Sequence, residues 1–141
     1  MDLESESPLQ QALRAVLRGD VSRIPEIFGA DHASLRAEAA ALGEPLIATR
    51  AAVAEVLRGL HDGRLEAVDA RRWASFVRHG HGPGLTEPFR PVDIEYEAEG
   101  EDAIVEAIAR LTELGDLVDG IIGDEEATEL LSALGGRAAG A

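Results

Sequence analysis

Leu35, Ala39, Leu42, Leu46, Thr49, Val53, Val56 and Leu60 step alternately by four and three, a spacing that keeps one stripe of side chains on one side of an α-helix for about seven turns. A stripe of this length commits the chain to helices packing on helices. Gly43 and Pro45 fall inside it. Proline in a helix interior removes a hydrogen bond and crowds the preceding turn, at a cost of about 3 kcal/mol, so a kink or break is expected there with the phase of the stripe preserved. The apolar residues, 45% of the chain, are mostly Ala, Leu, Val and Ile with few aromatics, which suits helix contacts better than a β-sandwich. A chain of 141 residues is the size of one domain. The expected fold is mainly all-α: a single domain over 1–141, built as a compact bundle of about five helices with one short acidic extended segment, and frayed at 1–7 and 135–141.

Other helices are legible around the stripe. Leu9, Leu13, Val16 and Leu17 share a face over 8–18, where Ser7 can cap the first turn and Pro8 takes the first helical position. Between turn residues, Pro25 can open a short linking turn that buries Ile24, Ile27 and Phe28. The segment 67–78 reads as a helix turning Val68, Trp73, Phe76 and Val77 inward, with Arg71, Arg72 and Arg78 outside. Residues 80–91 are too rich in glycine and proline for a regular element. Next, Val92, Ile94, Tyr96 and Ala98 alternate with Asp93, Glu95, Glu97 and Glu99, the pattern of a half-exposed strand with a carboxylate outer face. Such a strand needs a partner. A helix is expected over 101–118 with Ile104, Ile108, Leu111 and Val118 on one face, and another capped by Asp124 that carries Leu130, Leu131 and Leu134.

The charge restricts partners. All 13 basic residues are arginine against 27 acids, and the net charge of −14 repels nucleic acid and anionic lipid. Nearly all of the excess lies beyond residue 92. With no cysteine there is no disulfide, thiolate nucleophile or cysteine zinc site, and no apolar run approaches the ~20 residues that span a bilayer. The start, MDLESESP, is acidic where a signal peptide is basic and then apolar, so the cytoplasm is the expected location.

Two segments share a layout: Leu60-His-Asp-Gly63-Arg-Leu65 before a helix with Asp69 and Trp73, and Leu117-Val-Asp-Gly120-Ile-Ile122 before a helix with Glu126 and Leu130. In each, glycine can end a helix in the left-handed conformation while the aliphatic residue two positions later pins the turn. The spacing is also that of an EF-hand, but the first and third ligand positions would be Arg58 and Leu60, or Gly115 and Leu117, which offer calcium too few oxygens. A repeated helix hairpin is the simpler account. In the order helix, Asp-Gly turn, Trp-Ala helix and acidic helix, over 53–78 and 104–134, the chain resembles the small acidic immunity proteins that bacteria make against toxin domains of contact-dependent and polymorphic toxin systems. That resemblance implies no catalytic residues; it implies a protein that neutralises a toxin by covering it.

The strongest candidate for function is the segment Asp93, Glu95, Tyr96, Glu97, Glu99, Glu101 and Asp102, whose six carboxylates in ten residues favour a basic surface such as a nuclease cleft, with Tyr96 as a central anchor. The competing account is a solvated face that keeps the protein in solution. His79 and His81, with His61 near a turn, invite a metal, yet no third ligand stands at helical spacing, and no metal or other cofactor is expected. Arg71 and Arg72 could hold an anion, or pair with the chain's own acids. There is no Gly-x-Ser-x-Gly elbow, phosphate loop or dinucleotide fingerprint, and a charged surface strand walls no catalytic pocket, so no enzyme is expected. The expectation is a non-catalytic protein-binding domain, immunity- or antitoxin-like, covering a basic partner with its acidic last third. The alternative is a homodimeric structural or regulatory module in which the strand over 92–98 pairs with its mate.

Overall fold

The computed structural model describes residues 7–81, 91–114 and 122–140, with side chains as far as residue 134. In chain order it runs α1 (Pro8–Leu17), a 3-10 turn (Val21–Arg23), α2 (Ile24–Phe28), α3 (His32–Ala41), β1 (Leu46–Ala48), α4 (Arg50–His61), α5 (Ala67–His79), β2 (Ile94–Tyr96), α6 (Glu101–Thr112) and α7 (Asp124–Gly140). The fold is mainly helical, as expected, but with seven α-helices among the described residues instead of about five.

The long stripe is divided differently from its reading as one interrupted helix. Gly43, at φ +74°, closes α3, Pro45 cannot resume it, and Leu46–Ala48 becomes a strand before Thr49 caps α4. The helical phase is lost in this strand, which alternates instead: Leu46 and Ala48 are buried while Ile47 is 39% exposed. A helical period pairs Leu46 with Thr49; the strand buries Ala48 instead, and Thr49 becomes the cap of α4.

β1 pairs with β2 in parallel, Leu46 opposite Ile94, Ile47 opposite Glu95 and Ala48 opposite Tyr96. The partner that the acidic strand requires is therefore supplied within the chain, and no second copy is needed for it. α4 and α5 form the crossover between the two strands, since parallel neighbours cannot be joined by a tight turn. The Glu97 amide donates to the Ala48 carbonyl at 3.0 Å, extending the ladder past β2.

Local chemistry sets the element ends. Ser7 forms a capping box with Gln10: its Oγ accepts from the Gln10 amide at 3.1 Å, and its own amide donates to Gln10 Oε1 at 2.9 Å. The Asp31 carboxylate accepts from the Ser34 amide to start α3, and Thr49 Oγ1 accepts from the Ala52 amide to start α4. The first of the two Asp-Gly turns is built as its sequence implies. Gly63 is left-handed at φ +80°, and the amides of Arg64 and Leu65 both donate to the Gly59 carbonyl, at 2.9 and 3.0 Å. Most of the second turn lies outside the described residues, as do Val118 and nearly all of the glycine- and proline-rich stretch.

The core gathers residues from every helix. Trp73 is fully buried at its centre and donates from Nε1 to the Val16 carbonyl at 2.8 Å, joining α5 to α1. Phe28 and Phe76 meet edge to face, with centroids 6.5 Å apart. Ile24 and Ile27 are buried, so the stretch read as a linker contributes to the core through the 3-10 turn and α2. Val68, expected inside, is 38% exposed; Ala70 and Ala74 take the inward positions on that face of α5 beside Trp73 and Val77. α6 packs on α5, α4 packs on α7, and Ile104, Ile108 and Leu111 are buried as their spacing requires.

Candidate functional site

The acidic segment begins just before β2 and ends in the first turn of α6, and it separates into carboxylates that hold the fold and carboxylates that do not. Glu97 belongs to the first group. Its Oε1 accepts from the Arg50 backbone amide at 2.8 Å and lies 3.4 Å from Arg50 Nε, so it satisfies a free N–H at the start of α4 as well as pairing with the guanidinium. Arg50 Nη2 also comes within 3.8 Å of Glu99. The Arg50 stem lies directly against Gly100, which takes φ +92° to turn the chain from β2 into α6. A Cβ at Gly100 would collide with that stem, so arginine and glycine together fix the turn.

Glu101 and Asp102 occupy the first turn of α6, where carboxylates complement the unpaired amides of a helix start. Asp93 and Glu95 have no such role: both are exposed, and neither has a cationic partner among the described residues. Tyr96, expected as a central anchor, is half-buried and faces the core side of β2 with Val92 and Ile94. Burial raises its phenol above the usual tyrosine range, against the opposing influence of Arg78. The exposed apolar side chain next to the carboxylates is instead Ile47, opposite Glu95 in the strand pair.

Arg50 and Ile47 do not stand out in the sequence because both lie within the helical stripe, past its expected break at Gly43 and Pro45. The available signal was Thr49 followed by Arg50, a cap and first helical residue placed directly after the apolar run Leu46, Ile47 and Ala48.

The other candidates resolve as follows. The rings of His79 and His81 lie 5.7 Å apart, and burial, then Arg78 and His81, hold His79 below the usual histidine range. His61 Nδ1 is 3.3 Å from Asp124. No group of three or more histidines and carboxylates is placed to hold a metal ion among the described residues. Glu126 is joined to Arg110, which draws its carboxyl below the usual range, and Arg110 also bonds Glu113, tying α7 to α6. Arg71 and Arg78 make no ion pair among the described residues, and Arg72 reaches only Asp69, at 4.0 Å. Within the described residues no helix is long and apolar enough to cross a membrane.

Comparison with protein-family models, with curated proteins and with solved structures found no match to this chain.

Proposed function

We propose that this chain is a non-catalytic protein-binding domain of the immunity or antitoxin kind, which covers a basic protein partner with the acidic strand and turn between β2 and α6. The observation that carries the reading is the division of labour among the carboxylates. Glu97 is committed to α4, while Asp93 and Glu95 project from the paired strand with no cationic partner among the described residues, and Glu99 reaches Arg50 only at 3.8 Å. Such a display speeds encounter with a cationic surface and selects against acidic ones, and exposed Ile47 supplies apolar contact beside it. The net charge of −14 turns the domain away from nucleic acid and anionic bilayers as partners, and a cytoplasmic location accords with this reading.

The test combines Asp93→Asn, Glu95→Gln and Glu99→Gln while keeping Glu97 and Arg50, so that charge is removed without uncapping α4. Wild-type protein should retain a cationic partner from host lysate at low salt and release it as salt rises; the triple variant should lose it at much lower salt. Retention of the same protein by the triple variant, with an unchanged salt profile, would refute the reading.

A further inference from the structure

On α5, Arg71, Arg72, Ser75, Arg78 and His79 fall on one face at helical spacing. Facing them are Thr112 of α6 and Phe28 of α2, and together they line a groove of 540 Å³. Among the described residues no carboxylate lines it. That is unusual in a chain with twice as many acids as bases. Arg14, Arg23, Arg50, Arg64 and Arg110 all bond carboxylates. Arg18 and Arg58 share their groove with Asp20 and Glu55, and Arg36 shares its own with Glu44 and Asp93. On α5, Arg71 and Arg78 are instead positioned by neutral oxygens: Arg78 Nη1 donates to Thr112 Oγ1 at 3.2 Å, and Arg71 Nη1 to the Leu114 carbonyl at 3.4 Å. These contacts leave most of their N–H groups available to an anion.

A second groove of 620 Å³ adjoins the first and shares Phe28 and Arg72 with it. Val21, Ile24, Pro25 and Leu65 give it an apolar wall beside Arg64, and its one carboxylate among the described residues, Asp69, comes within 4.0 Å of Arg72. Each volume lies in the range of about 300–1,000 Å³ typical of small-molecule sites. Cationic at one end and apolar at the other, the pair of grooves matches a ligand with the same two halves.

We infer that the joined grooves bind a small phosphate monoester carrying an apolar or aromatic group, with the phosphate held by Arg71, Arg72 and Arg78 and the apolar part lying between Phe28 and Leu65. Three guanidiniums and the hydroxyl of Ser75 offer more donors than a monocarboxylate can use, and a dianionic phosphate has the oxygens to accept them. The overall negative charge excludes a polyanion or an anionic membrane, whose many charges would face the whole protein, whereas a small anion meets only the local cations. This assignment is independent of the acidic surface.

Isothermal titration calorimetry at low ionic strength, with phenyl phosphate and inorganic phosphate as probes, tests it. Phenyl phosphate should bind one to one, about tenfold more tightly than inorganic phosphate, and Arg71→Gln/Arg78→Gln should weaken it by about tenfold or more. Both replaced side chains are exposed, so the variant should keep its fold, verified by circular dichroism. Arg36→Gln, which removes a cation from another groove, should leave binding unchanged. No heat up to millimolar probe, equal affinity for the two phosphates, or equal weakening by Arg36→Gln would each overturn the inference. Vesicles containing phosphatidic acid present the same headgroup on a surface; retention on them without binding of the free ester would overturn it as well.

Discussion

Replacing Glu97 by alanine should cost far more than replacing Glu95, although the two residues belong to the same acidic alternation. Glu97 accepts the Arg50 amide at 2.8 Å, one of the N–H groups that a helix start leaves unpaired, and loss of such a cap costs about 1–2 kcal/mol. Its pairing with the Arg50 guanidinium adds about 0.5 kcal/mol, because both side chains are about one third exposed and the pair is screened. Glu97→Ala should thus lose about 1.5–2.5 kcal/mol. In a chain of 141 residues each kcal/mol moves the midpoint by about 3 °C, so Tm should fall by roughly 5–8 °C. Glu95→Ala, on the exposed face opposite Ile47, should remain within about 0.5 kcal/mol of wild type. Glu97→Gln keeps an acceptor and loses the charge, and should fall between them. Urea denaturation followed by circular dichroism reads all three, with an unchanged slope showing that only stability moved. If Glu97→Ala and Glu95→Ala came out equal, the separation of structural from displayed carboxylates would be wrong.

Two further predictions concern backbone and pH. Gly43→Ala and Gly80→Ala both place alanine in the left-handed region, at φ +74° and +76°. Gly43 faces open space and should cost about 1 kcal/mol, whereas a Cβ at Gly80 would press on Val92 and meet Pro91 Cβ at 2.8 Å, for a loss of about 3 kcal/mol or more by denaturant titration. Because Arg110 holds the folded-state carboxyl of Glu126 below its unfolded value, the resulting stabilisation is full above the ordinary value of about 4.3 and is lost as pH falls through it towards the folded value. Melting temperatures of Glu126→Gln and wild type should converge over about pH 5 to 3; a constant difference across that range would contradict the assignment.

The parts of the fold legible in the sequence were those fixed within a few residues. Ser7 and Pro8 announce α1, Gly63 and Leu65 announce the turn after α4, and the spacing of Ile104, Ile108 and Leu111 identifies the buried face of α6. The alternation over 92–98 likewise marked β2, although its regular part is only Ile94–Tyr96. What the sequence hid depends on segments far apart meeting. Leu46–Ala48 is an apolar run of only three residues, and nothing local indicates that it is a strand or that it pairs with Ile94–Tyr96. Without that pairing, Glu97 is indistinguishable from Glu95. Val68 was misassigned for a related reason: on α5 the smaller Ala70 and Ala74 allow neighbouring helices to approach, and hydrophobicity alone favours the larger residue. The cationic groove was half visible, as Arg71 and Arg72, but its second wall comes from α2 and α6.

The parallel sheet also sets a schedule for the nascent chain. β1 leaves the ribosome about 50 residues ahead of the strand that completes it, an interval of about 2–10 s at ordinary elongation rates. During that interval Leu46–Ala48 has no mate, and the start of α4 lacks the carboxylate that later accepts the Arg50 amide. Helices α1 to α3 can already collapse together through local contacts, but the sheet must wait for most of the chain. With only three residues in β1, the unpaired edge is brief in length even though it is long in time, and that shortness limits what a neighbouring nascent chain can grip.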